Sequence, residues 1–162
     1  AWTGNYIDKA VTRMRMNFFN DSPYDTVFLR VAISDGASPQ IEGSNWWISK
    51  TPVEYAPSSG WSFASFDINE ASMKRGGVIN GQPGFLSFAD TLTNIQTVRI
   101  LSSVLGGSGV GDQFYGVVGL DDIQLISVAI PEPNTALFNR AIALVFLLVV
   151  LRKFSFPHSK GE

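Results

Sequence analysis

The 162-residue chain contains no cysteine and a single histidine, His158. Those two absences remove a thiol nucleophile, any cysteine-based zinc or iron–sulfur site, a disulfide framework, and every Ser-His-Asp triad that does not enlist His158. Charge is also scarce, at 16% of residues, against about 25% in an ordinary soluble domain. The deficit is filled by 15 Gly, 8 Pro and many Ser, Thr and Asn, a loop-rich composition common in all-β proteins. With 45% hydrophobic residues the chain is not disordered, and its length suits one folded domain plus a short tail.

Residues 1–128 carry 8 basic and 12 acidic side chains, whereas residues 129–162 carry 4 basic and 2 acidic. An acidic body thus precedes a basic tail. No basic stripe is present to neutralise phosphates, so nucleic acid is not an expected partner. The lack of cysteine leaves the redox compartment open. The chain opens on Ala1-Trp2-Thr3-Gly4 without Met, and the expectation is a domain truncated at its N-terminus.

The body reads as short strands between turns. Val27, Leu29, Val31 and Ile33 alternate with Phe28, Arg30, Ala32 and Ser34, which predicts a strand with one buried and one wet face. Met14, Met16 and Phe18 alternate with Arg13, Arg15 and Asn17, and the turn formers of residues 20–25 suggest that the two strands are antiparallel neighbours. Further strands are expected at residues 45–49, 62–68, 97–102 and 115–126, each set off by Gly, Pro or Ser. Two short helices are expected, at residues 69–75 ahead of Gly76-Gly77 and at residues 87–93. The pattern predicts an all-β antiparallel sandwich or barrel. The glycine-rich run 106–111 has neither the Lys nor the following helix that a phosphate-binding loop needs, and reads as a mobile surface loop.

The tail has three parts in order: Pro131-Glu132-Pro133 within the linker 129–135, an apolar segment at 136–151, and Arg152-Lys153 in the terminal stretch 152–162. As a helix the 16-residue segment would span about 24 Å against about 30 Å of hydrocarbon. Its 11 Leu, Ile, Val and Phe residues are worth about −3 to −7 kcal/mol on the insertion scale, against at most about +3.5 for Arg140. The expectation is a single transmembrane helix with Arg152 and Lys153 on the cytoplasmic side and the body outside. A buried core helix is the alternative that the length allows.

This order resembles the C-terminal sorting signal of bacterial PEP-CTERM proteins. Asn139-Arg140 interrupts the apolar run and residues 154–162 extend beyond the basic pair, two departures from that pattern. The body is similar to the jelly-roll-like β-sandwich ectodomains that precede such signals. The landmarks are Trp2-Thr3-Gly4-Asn5-Tyr6, Leu29-Arg30-Val31, Ser59-Gly60-Trp61, Leu92-Thr93-Asn94, Val98-Arg99-Ile100 and Gly119-Leu120-Asp121-Asp122-Ile123. The resemblance implies a protein of a Gram-negative bacterium that is exported and held transiently in the inner membrane. Recognition of Pro131-Glu132-Pro133 by an exosortase-type sorting protease would then pass it to the cell surface or extracellular matrix. It also implies an N-terminal strand and an export signal ahead of residue 1.

No catalytic constellation emerges. Asp121 and Asp122 are the only adjacent carboxylates, and strand neighbours point to opposite faces, so they cannot serve one substrate as an acid–base pair. Glu54 and Glu70 have no evident partner. A non-enzymatic surface or matrix protein is therefore expected, with a carbohydrate-binding module as the alternative and a membrane-anchored hydrolase third. Trp46, Trp47, Tyr55, Trp61 and Tyr115 could stack on sugar rings or pack the core. If Ile48 faces the core, parity turns Trp47 outward as the candidate platform for extracellular polysaccharide. Parity also sets Asp121 on the face of Ile123 and Leu125. No cofactor is required, but an inward carboxylate would accept amide hydrogen bonds or bind a structural calcium, as the resembling sugar-binding jelly rolls do beside their final strand.

Overall fold

The computed structural model describes residues 2–128 apart from 37, 79 and 80. Chain alternation produces eight strands and one short helix: β1 (Val11–Asn20), β2 (Val27–Ser34), β3 (Trp46–Ser49), β4 (Val53–Tyr55), β5 (Ser59–Asp67), β6 (Met73–Gly76), α1 (Phe88–Leu92), β7 (Thr97–Ser102) and β8 (Val118–Ser127). They form two antiparallel sheets, so the all-β reading stands. The smaller sheet has the order β5-β1-β8. In the larger, β2 pairs with β4 and β3 along one edge and β7 along the other, and β6 continues beyond β3.

Met14, Met16 and Phe18 from β1 meet Leu29, Val31 and Ile33 from β2 in one apolar core, joined by Ala64 and Phe66 of β5 and by Tyr6, Trp47, Met73 and Phe88. The expectation that β1 and β2 are paired neighbours is overturned, because they belong to different sheets. Alternation records that each strand has one apolar face, but not whether two such faces lie side by side or meet across a core. The connection decides it. Asn20 Nδ2 donates to the carbonyls of Asp25, Tyr55 and Ala56 at 2.9–3.1 Å, and Asn20 Oδ1 accepts from the Ser22 amide at 3.0 Å. These bonds fix an arch that carries the chain from one sheet to the other.

The second face of β2 is not wet as expected. Arg30, Ala32 and Ser34 are all buried, and Ala32 joins Trp46, Ile48 and Leu101 in a second, smaller cluster. The glycine-rich run helps to cover it. A β-carbon at Gly109 would sit 2.5 Å from the Trp46 ring, and one at Gly106 would meet the Arg30 guanidinium at 3.0 Å. Both glycines are buried and seat the run on the second cluster, while Gly107, Val110 and Gly111 stay on the surface.

Ser87 caps α1 by accepting the Asp90 amide at 3.1 Å, within the helix expected at 87–93. The other expected helix is absent. Asn69 Oδ1 accepts the Ser72 amide at 2.9 Å to close a turn, and Met73–Gly76 then pairs with β3. Met73 points into the core from that strand, so pairing with β3 decides this short segment. Gly76 lies in that strand because a β-carbon there would be 2.6 Å from Ile48. Among the described residues no helix is long and apolar enough to cross a membrane. The segment 136–151 lies outside the described residues.

Candidate functional site

Strand β3 sets Trp46 and Ile48 on one face and Trp47 on the other. The expected parity holds, but the side assigned to Trp47 is corrected. Trp47 is 8% exposed and belongs to the main core, where its Nε1 donates to Thr91 Oγ1 at 3.2 Å. Its ring meets Phe88 edge-on at 5.1 Å, and the Arg75 guanidinium lies 5.0 Å from its centroid. Ile48 does face apolar neighbours, but those of the second cluster. When both faces of a sheet are covered, an inward isoleucine no longer tells which side is open. Trp46 and Tyr55 are buried as well.

Asp121 is also corrected. It is exposed, and its Oδ1 accepts the Asp122 amide at 2.7 Å. Asn17 pairs with Asp121 but Arg15 pairs with Gln124, so a bulge inserts one extra residue into β8. Asp122 occupies it with φ +48°. The insertion reverses parity: Leu120, Ile123 and Leu125 lie on the inner side while Asp121 shares the outer side with Asn17. The argument for a buried carboxylate, and with it the calcium assignment at Asp121, loses its premise. Among the described residues no three His, Cys, Asp or Glu side chains gather as a metal-holding group. Glu54 lies on β4 of the other sheet and Glu70 in the turn after β5, so neither stands in register with Asp121 and Asp122.

Of the remaining candidate aromatics, Tyr115 is exposed in the segment before β8, and Trp61 is exposed on the outer face of β5-β1-β8. Ala64, Phe66 and Ile68 point inward, which turns Trp61 and Phe63 outward at 58% and 57% exposure. Gly60 and Trp61 together face the single residue Phe19, a bulge that aims the Trp61 side chain across the sheet. The indole stacks on Phe19, with centroids 5.4 Å apart and planes at 27°. It reaches as far as β8, where a β-carbon at Gly119 would be 2.8 Å from it. The next row is Phe63, Asn17 and Asp121. Beyond it Arg15 donates to Gln124 Oε1 at 2.7 and 3.0 Å, Gln124 Nε2 donates to Asp122, and Arg13 pairs with Asp67 at 2.7 Å. Trp61 was one of five candidate aromatics. The signal that separates it from the others is the polar company of its face, Ser65 and Asp67, opposite Ala64 and Phe66.

The flank between the edges of β7 and β8 is open and apolar. One cavity there, of about 380 Å³, is lined by Trp2, Met14, Val98, Ile100 and Ile123 among others. A second, of about 190 Å³, lies against Phe18, Leu29, Phe114 and Leu120.

Two buried ionisable groups have clear structural partners. Arg30 donates to the carbonyls of Ser103, Ser49, Lys50 and Val104 at 2.6–2.8 Å. Burial pulls its pKa down, and Asp112 works in the opposite direction. Burial pushes the Tyr6 phenol up to about 12, and its hydroxyl donates to the Trp2 carbonyl at 2.7 Å.

Pro131, Glu132, Pro133, Arg152 and Lys153 lie outside the described residues. In comparisons with known proteins, no family, no curated sequence and no solved structure matches the chain.

Proposed function

We propose that this chain is a non-enzymatic bacterial surface or extracellular-matrix protein, a jelly-roll-like sandwich delivered by a C-terminal sorting tail. The observation that carries the reading is the order of Pro131-Glu132-Pro133, the apolar segment 136–151 and Arg152-Lys153. In this reading the segment is a membrane helix, and an exosortase-type protease recognises the Pro-Glu-Pro element. Replacing residues 131–133 with Ala tests the tail in a host that has the protease. The altered protein should stay in the inner membrane, and arrival at the surface or in the medium at the normal level would refute the reading.

The second reading is a carbohydrate-binding module at the cell surface. It is favoured by one specific observation, the outward pair Trp61 and Phe63 on a sheet face that also presents Asn17, Asp121, Ser65 and Gln124.

A further inference from the structure

We propose that the outer face of β5-β1-β8 binds a polysaccharide chain, with Trp61 as a preset platform, Phe63 as a second aromatic contact, and Asn17 and Asp121 as hydroxyl partners. The inference rests on the carbohydrate-binding reading above and gives that reading its site.

A pyranose ring is apolar over the C–H groups of one face and polar at its rim. A matching site needs a flat apolar surface with hydrogen-bonding groups beside it, not beneath it. Trp61 meets the first condition. Phe19 supports the indole from below, and Gly119 leaves room for its far edge, so the ring lies over the sheet instead of standing away from it. Its rotamer is therefore fixed before binding, which lowers the entropy cost of contact. The second condition is met one row along the sheet. Phe63, Asn17 and Asp121 stand side by side on three strands, giving an aromatic ring, an amide and a carboxylate. An amide both donates and accepts, and a carboxylate accepts from sugar hydroxyls with charge-assisted strength.

Spacing favours a chain over a single sugar. Trp61 and Phe63 are two residues apart on one strand face, about 6.7 Å at the usual rise of a strand. The indole reaches from β5 over Phe19 of β1 to Gly119 of β8, so together with Phe63 it offers an aromatic surface wider than one sugar ring.

Area and charge argue against other occupants. Trp61 and Phe63 each expose a little over half of a side chain, together about 170–290 Å² at about 150–250 Å² per aromatic residue. A stable protein–protein interface needs about 800 Å² on each partner. The face carries Arg13 and Arg15 against Asp67, Asp121 and Asp122, so acidic groups outnumber basic ones and a phosphate backbone is not attracted there.

The test is native affinity electrophoresis of the full chain in a polyoxyethylene detergent, which cannot compete as a sugar. The gels contain hydroxyethyl cellulose, xylan, galactomannan or laminarin. At least one polymer should retard the protein, and Trp61→Ala and Phe63→Ala should each weaken retardation by about tenfold or more, equivalent to about 1.4 kcal/mol. Trp2→Ala, which alters an exposed tryptophan on the open flank, should move like wild type. Should Trp61→Ala lose its fold by circular dichroism, Phe63→Ala and Asn17→Ala carry the same expectation. Retardation that survives Trp61→Ala and Phe63→Ala would overturn this site while leaving the carbohydrate-binding reading in place. No retardation by any of the four polymers would overturn both. A dimer that disperses on Trp61→Ala, without retardation, would assign the face to a second copy of the chain and overturn the proposal.

Discussion

Arg30 sits at the middle of β2 with 3% of its surface exposed, and its guanidinium joins two loops. Its Nε and one terminal nitrogen donate to Ser103 and Val104 after β7, and the other terminal nitrogen donates to Ser49 and Lys50 at the end of β3. Replacing it with Met keeps much of the stem volume and removes all four donors. The carbonyls of Lys50 and Val104 belong to exposed residues and can turn to water. Those of Ser49 and Ser103, in residues 4% and 3% exposed, cannot. Two stranded carbonyls at about 1–3 kcal/mol each cost about 2–6 kcal/mol. Removing a desolvated charge and gaining apolar contact returns part of that, leaving an expected loss of about 2–4 kcal/mol. At about 4 °C per kcal/mol for a body of this size, the melting temperature should fall by about 8–16 °C. Equilibrium unfolding in urea measures it, read by tryptophan fluorescence, since all four tryptophans lie within residues 1–128. Arg30→Lys should be intermediate, because one ammonium cannot span both loops. A loss under about 1 kcal/mol for Arg30→Met would show that the guanidinium's desolvation cancels its bonds, and the clamp argument would fail.

Other outcomes are expected from the same structure. The Tyr6 phenol, raised by burial to about 12 from the ordinary tyrosine value of about 10, keeps its proton more tightly folded than unfolded. Its contribution is therefore fully present below about pH 10 and is lost as pH rises through about 12, a change on the order of 3 kcal/mol. Tyr6→Phe should flatten that alkaline limb in urea titrations at successive pH values, and an unchanged limb would exclude Tyr6 as its source. Asp122 holds φ +48° at the β8 bulge, so Asp122→Val should cost about 1–2 kcal/mol while Asp122→Gly stays near wild type by urea midpoint. Trp47→Ala should lose about 3–5 kcal/mol as a core truncation. A surface-sized loss, under about 0.5 kcal/mol, would contradict its burial. Gly109→Ala drives a methyl into the Trp46 ring and should cost about 1–3 kcal/mol by thermal melt.

The strands with strict alternation were legible because side-chain parity is a local property. Met14, Met16 and Phe18, and Val27, Leu29, Val31 and Ile33, point to the main core as their spacing dictates. The cap at Ser87 was equally local, since the serine hydroxyl and the Asp90 amide lie three residues apart. Short elements failed where context outweighed pattern. The three residues of β4 and the four of β6 carry too little sequence to outvote their neighbours, and a partner strand holds them.

The sequence by itself determined the all-β class, which residues of β1 and β2 share a face, and the ordered linker, apolar and basic parts of the tail. Tertiary structure decided which faces are outside. Arg30, Ala32 and Trp46 are buried because distant loops return to cover them, and no periodicity within β2 or β3 encodes that cover. One extra residue in β8, set by its pairing with β1, moved Asp121 from the inner side to the outer. The Trp61 platform likewise exists only because Phe19 and Gly119, 42 and 58 residues away along the chain, are brought beneath one indole by strand register. A local pattern fixes relative orientation along one strand, whereas burial depends on what other segments supply, and that information resides in the pairing of the chain with itself.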